Sequence, residues 1–61
     1  MNNIEKEQVD FDQYTNGYGA GFFDAFNDNE ELITDPAVPY EYGYCRGYEE
    51  GVLAAKNRTE I

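Results

Sequence analysis

Carboxylates, tyrosines and one thiol are the groups in this chain that could do chemistry. Thirteen Asp and Glu stand against four Lys and Arg, with no His, for a formal charge of −9 at neutral pH. Without an imidazole no Ser-His-Asp or Cys-His arrangement exists. Cys45 lies between Tyr44 and Arg46. A helix N-terminus and a neighbouring guanidinium can lower a thiol pKa, but a small half-buried residue beside a glycine is the plainer reading. One Cys and no His argue against a structural zinc site and exclude an internal disulfide. The stretch DAFNDNEELITD lacks the central glycine of a calcium loop and puts Phe26 at a ligand position. No metal, no cofactor and no enzymatic activity are expected, because nothing activates a nucleophile and a small helical chain offers no sizeable cleft.

The carboxylates suit binding better than catalysis. Residues 1–35 sum to −8 and the remainder to −1. Solvated acidic faces that keep a small protein in solution are the plain reading. The sharper one is a surface that imitates a phosphate backbone. Its candidate residues are Asp24, Asp28, Glu30, Glu31, Asp35, Glu49 and Glu50, with Tyr42 beside Glu41 as an exposed aromatic contact. Such a surface repels nucleic acid and anionic membranes and fits a basic, nucleic-acid-handling host protein. No apolar run approaches the length of a membrane span and no signal peptide opens the chain. With a lone thiol, this predicts a cytoplasmic protein.

A repeat must position these groups. Shifted by 26 positions, YTNGYGAGFFDAF (14–26) falls on YEYGYCRGYEEGV (40–52). Gly17, Gly21 and Ala25 lie four apart, beside Tyr14, Tyr18, Phe22 and Phe26. The second copy sets Gly43, Gly47 and Gly51 beside Tyr40, Tyr44, Tyr48 and Val52. Two ridges of period four, side by side, define one helical face. Glycine inside a helix costs roughly 1 kcal/mol relative to alanine. These glycines therefore make sense as a surface on which two backbones approach closely, as small-xxx-small ridges do, with tyrosine burial supplying stabilisation. GYGAG also has the look of a dinucleotide fingerprint, but no strand precedes it.

The elements follow. The chain is expected to be all-α: a helical hairpin with helix 12–27, a connector, helix 39–57, and internal pseudo-twofold symmetry. Residues 1–61 form a single small domain, with 1–10 a flexible arm. Asp10 or Asp12 would cap the first helix, and Pro39 suits the first position of the second. Leu32 and Ile33 are expected to fold back over the core. A domain this short buries only about 60% of its unfolded surface, so packing as a homodimer is expected as well.

GYGAG (17–21) and YEYGY (40–44), separated by a short connector, resemble the corresponding segments of the bacterial ribosome modulation factors. The resemblance covers residues 14–52 and implies a helix–loop–helix fold. In that family the surface is strongly basic and binds ribosomal RNA. Here the basic residues are absent, so RNA binding is not implied. The small acidic chain also looks like a bacteriophage accessory protein. The leading expectation is a non-enzymatic acidic protein that inhibits or modulates a basic host protein by nucleic-acid mimicry. The alternatives are a ribosome-associated modulator acting through protein contacts, and a structural or assembly subunit.

Overall fold

The computed structural model describes the backbone of residues 3–59 and the side chains of residues 8–58. Two helices, α1 (Asn3–Phe26) and α2 (Pro39–Thr59), are joined by residues 27–38, and the described residues contain no strand. The all-α helix–connector–helix layout is the expected one.

The two helices run in the same direction. Gly17 faces the carbonyl of Tyr40 and Gly21 that of Tyr44, while Gly43 faces the carbonyl of Tyr14 and Gly47 that of Tyr18. Partners on α2 rise in number as those on α1 rise, which only a parallel pair can do. The contacts are also reciprocal under the 26-residue repeat, so the pseudo-twofold axis lies along the helices. A Cβ at any of these four glycines would overlap the facing carbonyl group. Each glycine instead turns a Cα–H toward a carbonyl oxygen, a weak but recurrent helix–helix contact. The expected packing set is thus brought together: Gly17, Gly21, Gly43 and Gly47 are buried, and Tyr18, Phe22, Phe26, Tyr40 and Tyr48 are half-buried around them. Tyr14 lends its backbone, and its side chain remains 36% exposed.

The fully apolar core is thin. Among the described residues only Ala25 and Tyr44 are buried hydrophobic side chains. Around them the aromatic ridges stack along their own helices, with ring centroids 6.5 Å apart for Tyr18–Phe22, 5.8 Å for Phe22–Phe26 and 6.2 Å for Tyr44–Tyr48. The Cα trace measures 50 × 22 × 11 Å, a ribbon about one helix thick.

Several boundaries differ from expectation. Residues 1–2 of the expected arm lie outside the described residues. From Asn3 the backbone continues α1, because Glu5, Lys6, Glu7 and Gln8 are good helix formers and extend a helix that packing has already nucleated. Asp10 and Asp12 therefore stand inside α1 and cap nothing. Its far end is a Schellman turn: Asp28 N–H donates to the Ala25 carbonyl at 3.1 Å and Asn29 N–H to that of Asp24 at 2.7 Å. Asp28 holds the left-handed position usual for glycine there, at φ 62°. Pro39 does open α2. Tyr42 N–H donates to the Val38 carbonyl at 3.0 Å, and Glu41 Oε1 reaches back to accept from Ala37 N–H at 2.8 Å, much as a capping box does.

Candidate functional site

The connector returns along α2, held mainly by its backbone. Tyr48 donates its hydroxyl to the Asn29 carbonyl at 2.7 Å. Leu32 N–H donates to the Tyr44 hydroxyl at 3.1 Å, and the Cys45 thiol donates to the Ile33 carbonyl at 3.1 Å. These three bonds follow one face of α2 from Tyr48 back to Tyr44 and Cys45. The side chain of Leu32, expected to cover the core, is instead 77% exposed. Tethering at its N–H turns that side chain out to solvent, and Ile33 remains half-buried.

Asp24 was expected to face a partner. It is half-buried and engaged: Tyr44 donates its hydroxyl to Oδ2 at 2.5 Å and Asn29 Nδ2 reaches Oδ1 at 3.4 Å. The Tyr44 hydroxyl thus joins α1, α2 and the connector at one part-buried point. Burial raises its pKa above 10.0, and the bond to Asp24, which favours the protonated phenol, adds to the shift.

Three of the remaining candidate acids, Glu31, Asp35 and Glu49, act on Cys45 together with Glu41. Burial pushes this thiol above its ordinary 9.0, and the nearby charges of Glu31, Glu49, Glu41 and Asp35 push it the same way. Two of those carboxylates belong to the connector and two to α2. The bond from the Cys45 thiol to the Ile33 carbonyl sets the connector between Glu31 and Asp35 against α2, where Glu41 and Glu49 lie one turn to either side of Cys45. Any lowering of the thiol by the adjacent Arg46 is outweighed. That guanidinium is turned toward Glu49 at 3.9 Å and Glu50 at 3.4 Å, exposed pairs that add little stability. Asp28, Glu30 and Asp35 are exposed on the connector, Glu31 is partly exposed, and Tyr42 is 54% exposed as expected.

Two contributors escaped the sequence reading. Glu41 is both cap and cluster member, and its place two residues after Pro39 was the available signal. Arg58 lies over the Phe26 ring at 4.3 Å, a contact that depends on the parallel direction of the helices. Among the described residues no group of three or more His, Cys, Asp or Glu could hold a metal ion, and no helix is long and apolar enough to cross a membrane. No protein family, curated protein or solved structure matches the chain.

Proposed function

We propose that this chain is a non-enzymatic acidic binding protein that inhibits or modulates a basic, nucleic-acid-handling host protein. The observation that carries the reading is the return of the connector along α2: the Cys45 thiol bonds to the Ile33 carbonyl at 3.1 Å, two residues from both Glu31 and Asp35, and Glu41 and Glu49 lie one helical turn to either side of Cys45. Carboxylates at the meeting of connector and α2, on a chain of charge −9, create a negative field that steers a positively charged surface toward it. The connector is pinned by Tyr44, Tyr48 and Cys45, so its acids are held in place before binding, which reduces the ordering cost of association. Tyr42, exposed on the same helix, offers an aromatic contact at the margin. Asp24 serves the fold and drops out of the contact set. The size and charge suit an accessory protein of a bacteriophage acting on its host.

The test is capture from a bacterial lysate on the immobilised chain at low and high salt, beside the variant Glu31→Gln/Asp35→Asn/Glu49→Gln. The expected result is a basic DNA- or RNA-handling protein, released by salt and not retained by the variant. Equal retention by the variant overturns the reading. Ribosomal proteins captured in ribosome proportions replace it with ribosome modulation.

A further inference from the structure

The two ends of the ribbon are unlike, and they complement each other. The repeat sets Pro39 level with Gln13, so residues 3–12 of α1 run on past the start of α2. It also sets Phe26 level with Val52, so residues 53–59 of α2 run on past the end of α1. These overhangs amount to about 15 Å and about 10 Å of helix without a helical neighbour among the described residues. Beside the second lies a notch of about 410 Å³, where Ala25, Val52 and Ala55 give an apolar floor and Lys56, Arg58 and Asp28 a charged rim. Val52 is 46% exposed there. Two of the four basic residues of the chain line this notch.

The first overhang carries the opposite character. Val9 is 55% and Phe11 67% exposed, and Asp10 and Asp12 flank them. Large apolar side chains bracketed by acids stand at one end, and an apolar notch bearing Lys56 and Arg58 at the other.

We propose that copies of this chain associate head to tail, the notch of one receiving the α1 overhang of the next. The incoming helix would cross the notch against the exposed side of α2, its first turns running on past it. Val9 or Phe11 would cover the apolar floor, and Asp10 and Asp12 would meet Lys56 and Arg58. Such an interface joins two different patches and leaves one of each free at the ends. It grows as an open chain of subunits, unlike the closed dimer that size alone suggests. The apolar area it removes from water supplements a core that holds, among the described residues, two buried hydrophobic side chains.

Sedimentation across a concentration series tests this with one variant at each end. Phe11→Asp spoils the head and Val52→Asp the tail, with helicity checked by circular dichroism. If Val52→Asp loses helicity, Ala55→Asp replaces it. For the unaltered chain the mass is expected to climb with concentration past that of a dimer. Each variant alone is expected to stay a monomer. Mixed in equal amounts they should form a one-to-one dimer, because one sound tail remains on the head variant and one sound head on the tail variant. A monomeric unaltered chain, assembly that neither variant weakens, or a mixture that stays monomeric would each overturn the proposal.

Discussion

Gly21 lies against the main-chain carbonyl of Tyr44 with no room for a methyl group between them. A Cβ there would stand 2.8 Å from the Tyr44 carbonyl carbon and 2.9 Å from the Tyr48 nitrogen. Gly47 repeats the relationship against Tyr18. The obstacle in each case is backbone, which cannot rotate aside as a side chain can. Closeness of the helices thus rests on these hydrogens.

Gly21→Ala and Gly47→Ala should therefore each destabilise the fold by about 2 kcal/mol or more, the overpacking cost exceeding the gain in helix propensity. Gly19 is the internal control, since a Cβ there meets nothing within 4 Å. Gly19→Ala should stabilise by about 0.5–1 kcal/mol. Urea unfolding followed by circular dichroism measures all three, and a neutral Gly21→Ala would contradict the close approach.

Tyr44→Phe keeps the ring and removes the hydroxyl that joins Asp24 to Leu32. Leaving the Leu32 N–H and the half-buried Asp24 without this partner should cost about 1–3 kcal/mol. The loss should be local first: hydrogen exchange at the Leu32 amide should quicken more than exchange in the middle of α1. Uniform quickening would mean that the hydroxyl does not tether the connector.

Asp28 occupies a left-handed position at φ 62°, where a side chain is strained and glycine is not. Asp28→Gly should raise stability by roughly 0.5–1 kcal/mol, offset in part by the greater freedom of glycine in the unfolded chain. The midpoint of thermal or urea unfolding reads this directly.

Alkaline pH should weaken the fold. Tyr44 and Cys45 hold their protons above their ordinary 10.0 and 9.0, chiefly through burial. The unfolded chain therefore releases these protons first. Stability from this source is complete below about pH 9 and is lost as the pH rises through the ordinary values toward the folded ones. Urea midpoints should fall over that range, and Cys45→Ala should remove the earlier part of the fall. At neutral pH the Cys45 thiol should also react with a disulfide reagent more slowly than a free small thiol, having less thiolate.

Much of the fold is legible in the sequence. Tyr14 to Phe26 and Tyr40 to Val52 repeat one pattern, whose period of four specifies helices, and the glycines mark where backbones meet. Pro39 marks the start of α2 because its ring suits the first helical turn. Tyr42 and Cys45 fall as their places beside the ridges suggest. The direction of the helices is not legible in this way, since glycine ridges can pack against tyrosine ridges in either sense. The connector permits both: residues 27–38 can span about 40 Å when extended, and returning past α1 from Phe26 to the level of Gln13 takes about 20 Å. Tertiary contacts decide it, through the Tyr44 and Tyr48 hydroxyls that bind the returning connector. The same contacts turn Leu32 outward, draw Asp24 in, and gather Glu31 and Asp35 beside Glu41 and Glu49. Sequence determined which residues make the helical faces, because that depends on local periodicity. Tertiary structure alone decided how the faces are oriented and which acids share a surface, because that depends on bonds between residues far apart in the chain.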